Sequence, residues 1–422
     1  MRSGPPLFSA LFLLVLPAIG AAQTSAGPLT WQDCVAIAAR NNPDLTSSAR
    51  SLAAGQANYY GSFNGLMPNL LLSNSFSDSN SATAATNKWS ASGSLSIDLF
   101  NASSIAGIKS ASAFLSVAQA NLRQASANLR FSLRQAFAQV IFTQKNLEVS
   151  RNINEMRDKD AQLVTLRYNS GRESKGNMLR AKAQFVQSKA DLAQALRAVR
   201  TAQKSLDRQL GLDDFSVVTV TGTLEAAAPP DSPGGEPSWL ARRPDVSVQE
   251  AAVRVARAAA NSAGSSVWPS LSADYTRSRL GRTEFPNRTY GWTGGLTLSY
   301  ALFGGGPTAT YYAVKAADKN IEKAEQDLRT ARDAAILDLE NAWSGYASAV
   351  DQVVVQRALL DAARQRNDEA DVRYASGLLT YDNWEIIASD RISTEKQAIS
   401  AEFNAAVAQA AWEKSIGKEL GE

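Results

Sequence analysis

Arg167-Tyr168-Asn169-Ser170-Gly171 recurs 206 residues downstream as Arg373-Tyr374-Ala375-Ser376-Gly377. Each copy ends a run of good helix formers with a glycine, the residue that suits the left-handed cap where a long helix must stop. The repeat continues outward from this pair. Gly211 matches Gly417 at the same offset of 206, and Trp89 and Leu99-Phe100 match Trp292 and Leu302-Phe303 at 203. Asn42-Pro43-Asp44 and Met67-Pro68 match Arg243-Pro244-Asp245 and Trp268-Pro269 at 201. So small a drift marks a duplication with short insertions. The chain therefore divides into a leader at 1–22, a first repeat at 23–222, a linker at 223–238 containing Pro229, Pro230, Pro233 and Pro237, and a second repeat at 239–422.

Inside each repeat lies a long stretch almost free of breakers. Asn101 to Ser170 holds only Gly107, Thr308 to Ser376 holds only Gly345, and neither holds a proline. At ~1.5 Å per residue a continuous helix over either approaches ~100 Å, which points to coiled coil. Ile336, Leu339, Trp343, Tyr346, Val350, Val353, Arg357 and Leu360 follow a 3-4 alternation, as do Leu133, Phe137, Val140, Gln144 and Leu147. A seam of smaller residues, Leu179, Ala183, Val186, Ala190 and Ala193, would allow close helix approach. An ordinary helical-bundle core has the same period, so periodicity leaves both open.

Each repeat also holds two stretches of period two. Trp89, Ala91, Gly93, Leu95, Ile97 and Leu99 alternate with serines and Asp98; Tyr290, Trp292, Gly294, Leu296, Leu298, Tyr300 and Leu302 alternate with Gly, Thr and Ser. Shorter partners run from Leu70 to Ser77 and from Leu271 to Thr276. A length near ~10 with this alternation suits a half-buried strand or a transmembrane β-strand. Trp89, Trp268, Trp292, Tyr275, Tyr290 and Tyr300 sit near the strand ends, where membrane-interface aromatics belong. Four strands cannot close a barrel, since the smallest have ~8, so several chains must share one if these strands span a membrane.

Composition removes most other chemistry. Among 422 residues there is no His and one Cys, which excludes histidine bases, catalytic triads, disulfides within the chain, and His- or Cys-cluster metal sites. Arg2, an apolar run from Leu7 to Ile19 and small residues to Ala22 read as a secretory signal peptide. Without residues 1–22 the net charge is +2, from 42 basic and 40 acidic residues, and offers no electrostatic case for nucleic acid. No later apolar run reaches the ~18 residues of a transmembrane helix. Gly171-Arg172-Glu173-Ser174-Lys175-Gly176 has the glycine spacing of a P-loop, but Asn177-Met178 stands where Lys and Ser/Thr are required. No catalytic constellation, metal site or cofactor site emerges.

Signal peptide, duplicated helix–hairpin–helix units, paired R-Y-x-S-G turns, N-N-P-D-L at Asn41 to Leu45 and A-R-R-P-D-V at Ala241 to Val246 together resemble the TolC outer-membrane efflux family. The resemblance spans about residues 28–420 and rests on the order of the motifs rather than on any one. It implies an α+β membrane protein: a long antiparallel α-helical coiled-coil barrel crossing the periplasm, and a transmembrane β-barrel built from four strands per protomer of a homotrimer. Val217 to Thr221 would add a strand to an equatorial α/β belt. The implied role is a passive exit duct across the outer membrane, for efflux or type I secretion, docked by a periplasmic adaptor (membrane fusion) protein and fed by an inner-membrane transporter. A secreted or periplasmic coiled-coil structural protein shares the long helices, though it has no need of aromatic-ended strands.

The resemblance also carries site residues. Arg167, Gly171, Arg373 and Gly377 correspond to the periplasmic hairpin tips that an adaptor engages; a capped turn with solvated arginines accounts for the glycines equally well. Relatives with well-formed gates carry acidic residues about a turn beyond the hairpin glycine. Here Asp382 follows Gly377 by five and Glu385 lies nearby, while the first tip carries Arg172 and Lys175. Three copies of Asp382 on one axis would form an acidic ring that Arg172 or Lys175 closes. A helix N-terminal cap is the competing role for Asp382.

Overall fold

The computed structural model describes residues 27–81, 84–212, 218–233, 239–282, 284, 286, 289–301 and 306–421. The expected leader at 1–22, Val217, Pro237, Leu302 and Phe303 lie outside the described residues.

Each repeat runs helix, hairpin, long helix, shorter helix. The first comprises α1 (Trp31–Asn41), α2 (Pro43–Ser62), β1 (Asn69–Ser81), β2 (Ala84–Asn101), α3 (Ala102–Asn169) and α4 (Lys175–Leu210). The second comprises α5 (Trp239–Arg242), α6 (Pro244–Ser265), β3 (Ser270–Gly281), β4 (Thr289–Ser299), α7 (Pro307–Ala375) and α8 (Tyr381–Ser415). With 68 and 69 residues, α3 and α7 are each about 100 Å long. Asn101 caps α3 by accepting from the Ser103 and Ser104 N–H groups, and Pro307 occupies the first turn of α7, where its missing N–H costs nothing.

The strands form one antiparallel sheet in the order β1-β2-β3-β4, so β1 and β4 are open edges. Register sorts the side chains onto two faces. Leu70 pairs with Leu95, Leu95 with Tyr275, Ile97 with Ala273 and Ala273 with Leu296, which makes one face apolar. The opposite face carries Ser73, Ser92, Ser94, Thr276 and Thr293. A bulge between Asp98 and Phe100 places Phe100, rather than Leu99, opposite Leu271 in the apolar row.

The helices form one layer. Nearer the sheet α3 packs against α2 and α6, and toward the hairpin tips against α4 and α8; α7 packs first on α6, then on α8. In the lower half the order is thus α4-α3-α8-α7, with α4 and α7 on the flanks. Burial corrects two of the expected seams. Along α7 the inner positions are Ala335, Leu339, Tyr346, Ala363, Ala370 and Tyr374, while Ile336 and Arg357 face outward. Along α4 they are Met178, Ala181, Ser188, Ala195, Ala202 and Leu206, whereas Leu179, Ala183, Val186 and Ala190 are exposed. Both flanking helices carry two apolar stripes, and within one chain only one stripe of each finds a partner.

The duplicated motifs meet at the base of each hairpin. Gly211 ends α4 at φ +70°, and a Cβ there would lie 2.3 Å from the Asn41 carbonyl oxygen. Asn42, buried beside it, donates to the Gln209 carbonyl at 2.9 Å and caps α2. In the second copy Gly417 lies against the Arg242 carbonyl, and Arg243 bridges Asp245, Asp338 and the Ser415 carbonyl. Around this level Leu29, Cys34, Leu133, Val140, Leu206 and Val220 form the main core. Among the described residues the expected belt strand reduces to a single parallel bridge between Leu29 and Val220. The proline-rich connection is held by aromatic donors: the Trp343 indole N–H bonds the Pro230 carbonyl at 2.8 Å, and the Tyr346 hydroxyl bonds that of Ala227.

Candidate functional site

The two hairpin tips lie side by side and are built alike. Gly171 and Gly377 adopt φ +73° and +81°. Arg172 N–H bonds the Arg167 carbonyl at 2.9 Å and Gly171 N–H that of Tyr168 at 3.0 Å, the paired bonds that close a helix on a left-handed residue. Leu378 and Gly377 repeat both bonds to Arg373 and Tyr374. The P-loop spacing is thereby accounted for: Gly171 is a helix stop, and Gly176 lies in the first turn of α4, which Ser174 caps.

The arginines of the two tips do different work. Arg167 reaches across to the second hairpin, donating to the Tyr374 carbonyl at 2.6 Å with its guanidinium 4.5 Å from the Tyr374 ring centre. Arg373, at the matching position, is exposed. Tyr374 is 1% exposed, stacks on Trp384 at 4.4 Å, and donates to Glu173 at 3.0 Å. Burial raises the Glu173 carboxyl, but hydrogen bonds from Asn177, Ser174 and Tyr374 outweigh it and hold the group below the usual range. Burial and the Glu173 carboxylate together push the Tyr374 phenol well above its ordinary value. Trp384 donates its indole N–H to Asp371 at 2.6 Å. Sequence reasoning missed this ring cluster; the Tyr following each tip arginine was the available signal.

In the same first turn and a half of α8 the hairpins are joined by polar groups. Glu385, buried, accepts from Gln184 at 2.5 Å, Ser389 at 2.6 Å and Arg180 at 3.2 Å, with Arg157 at 3.7 Å. Asp382 is exposed and 3.4 Å from Arg180. Within one chain Arg180, not Arg172 or Lys175, therefore faces Asp382, and both of those tip cations are exposed. Thr380, not Asp382, occupies the N-cap position of α8 and makes no side-chain cap bond. Tyr381 is pushed up to about 12 by burial and by Glu385. Asp160, on α3, is raised to about 6 by burial and Asp371 against the pull of Arg157 and Arg391.

The aromatics expected at a membrane interface lie on the sheet or at its ends. Trp268 and Tyr300 flank its helix end, whereas Trp89, Trp292 and Tyr290 lie toward the hairpin turns; Tyr275 sits between, opposite Leu95 and Gly294. All but Trp89, which packs on Phe76 at 5.2 Å, are exposed. Among the described residues no helix is long and apolar enough to cross a membrane, and no group of acidic, His or Cys side chains has the geometry of a metal site.

The family described as outer membrane efflux protein matches residues 35–212 and 237–418. The fold is similar to a membrane protein from Pseudomonas aeruginosa at 18% identity and TM-score 0.82, over 92% of this chain and 93% of that one. It is also similar to the CmeC outer membrane channel of Campylobacter jejuni at 15% identity and TM-score 0.81, over 93% and 86%. The outer membrane protein VceC of Vibrio cholerae superposes at 16% identity and TM-score 0.77, over 92% and 96%. No curated protein matches the sequence.

Proposed function

We propose, from the premise that this chain belongs to the outer membrane efflux protein family, that three copies close into one duct through which substrates pass passively from an inner-membrane transporter across the periplasm and outer membrane. The family is one of transport ducts, not of enzymes. The observation that carries the trimer is the pair of open sheet edges, β1 and β4. Unpaired backbone groups at a lipid-facing edge each cost several kcal/mol, and four strands from each of three chains close a barrel that has no edge. Exposed apolar stripes on the flanking helices α4 and α7 support the same closure. Heat-resistant trimer bands from purified outer membranes test it; a monomeric coiled-coil protein recovered from the soluble fraction would refute it.

The tips marked by Arg167, Gly171, Arg373 and Gly377 are the surface offered to a periplasmic adaptor. Arg167 serves by locking the tips to each other, Arg373 by direct contact. Arg373→Ala is expected to lower adaptor crosslinking and efflux while trimer yield stays unchanged. Full efflux with bound adaptor would count against the assignment. Asp382, backed by Arg180 and Glu385, forms the narrow acidic ring of the periplasmic gate, and Arg172 or Lys175 of the adjoining protomer completes its closure.

A further inference from the structure

Arg277 and Arg279 break the alternation of β3. Their register partners are Gly93 and Ala91 on β2, and Trp292 and Tyr290 on β4, so both stand on the apolar face with Leu95, Ile97 and Leu296. The polar face, where cations would meet water, is the other one. Both arginines are exposed, and among the described residues neither belongs to an ion pair; Asp274 of the same strand points to the opposite face.

Their height explains how an apolar face tolerates them. From Leu271 to Arg279 the strand climbs eight residues away from the helices. At ~3.4 Å per residue and a ~40° tilt this is a rise of about 20 Å, near the outer limit of an apolar band ~25 Å tall. Arg279 stands near that limit, where arginine is tolerated, and Arg277, two residues lower at about 16 Å, lies between it and the midplane, where arginine is most costly. Trp292 and Tyr290 stand at the same height, with Trp89 and Phe76 one row further out. Between the strands lies a shallow groove of about 510 Å³, floored by Ala91 and Gly93 and walled by Leu72, Asn74 and the two arginines. Small residues open the floor, aliphatic surface continues toward the membrane, and two guanidinium forks line one wall.

We propose that this groove binds the phosphate-bearing headgroup of an outer-leaflet glycolipid. Guanidinium groups bind phosphate through paired N–H bonds that strengthen away from water, and the two forks, two residues apart on one face, reach two phosphates or two edges of one. Leu70 and Leu95, one row below them, lie along the acyl chains. The proposal rests on the barrel reading above, which makes the apolar face the outer one.

The test uses the purified trimer in neutral detergent, scored first for heat-resistant trimer and then by native mass spectrometry for retained lipid. The probes are bis-phosphorylated lipid A, its dephosphorylated form and inorganic pyrophosphate. The wild-type protein is expected to retain the phosphorylated lipid roughly tenfold better than the dephosphorylated one, as one or two charged hydrogen bonds give. Arg277→Gln with Arg279→Gln should form trimer normally and lose the preference, and the double Lys variant should keep part of it. Equal retention of both lipids, or an unchanged preference in the Gln variant, would overturn the site. Competition by pyrophosphate would assign it to free phosphate and overturn the lipid. Absence of trimer in the wild-type protein would instead overturn the barrel reading.

Discussion

Asp160 has a carboxylate oxygen buried without a hydrogen bond, and its nearest cation, Arg157, is 3.8 Å away and shared with Glu385. Its carboxyl is raised to about 6 from an unfolded value of 3.8, so the folded chain holds this proton more tightly than the unfolded one. Ionised Asp160 therefore destabilises the fold: the cost is absent below the unfolded value, grows between it and the folded value, and is complete above. Two units correspond to about 2–3 kcal/mol. Asp160→Asn is expected to raise the thermal midpoint at pH 7.5 and to lose that advantage at pH 4, measured by circular dichroism. An equal gain at both pH values would mean that packing, not ionisation, sets the effect. Nothing in the sequence distinguishes Asp160 from its neighbour Asp158, which accepts a hydrogen bond from Gln162, because the difference lies in what α7 and α8 place against it.

The strands show how far an element can be read from its pattern. Period two was legible because one face of each strand meets an apolar environment and the other water, and Leu296 and Thr297 fall on opposite faces as the alternation requires. Arginine on the lipid-facing side costs from ~0–1 kcal/mol at the interface to ~2–4 kcal/mol at the midplane, and Leu296, paired with Ala273, lies in the inner half of the band. Leu296→Arg should thus sharply reduce membrane-inserted trimer, and Thr297→Arg should leave the yield close to wild type; equal losses in quantitative immunoblots of membrane fractions would contradict the assigned faces. The bulge that replaces Leu99 by Phe100 in the apolar row was not legible. Leu and Phe are interchangeable in an alternation pattern, and only the pairing of β2 with β3 shows where the extra residue lies.

For the whole molecule the informative surfaces are those a single chain leaves bare. Val186 on α4 is 65% exposed and Leu359 on α7 is 51% exposed, so a charge at either should change monomer stability by no more than ~0.5 kcal/mol. If α4 of one protomer meets α7 of the next, Val186→Glu and Leu359→Glu will each lower the temperature at which the trimer dissociates on gels. No shift in either would place both stripes outside the subunit seam. At the tips, Asp382→Ala is expected to raise resting conductance in planar bilayers and to weaken cation selectivity. Unchanged conductance with lower thermal stability would reduce Asp382 to a structural role in the first turn of α8. Exposed pairs such as Arg180–Asp382 contribute only ~0–1 kcal/mol each, so the effect depends on three related copies acting together.

Local rules governed what the sequence determined by itself: two uninterrupted helices per duplicated chain, glycine-stopped tips, alternating strands, and the exclusion of histidine and cysteine chemistry. Each depends on backbone preference or on a periodicity that the residues carry wherever they are placed. Tertiary structure decided which of two apolar stripes on α4 and α7 faces the chain's own helices, since both have the same period. It also decided that Arg167 is spent inside the fold while its repeat-mate Arg373 stays exposed. The two pentapeptides differ at one residue, yet within one chain the first hairpin has the second beside it, and the second has its outer flank open. Identical local chemistry thus acquires different work from the neighbour it meets.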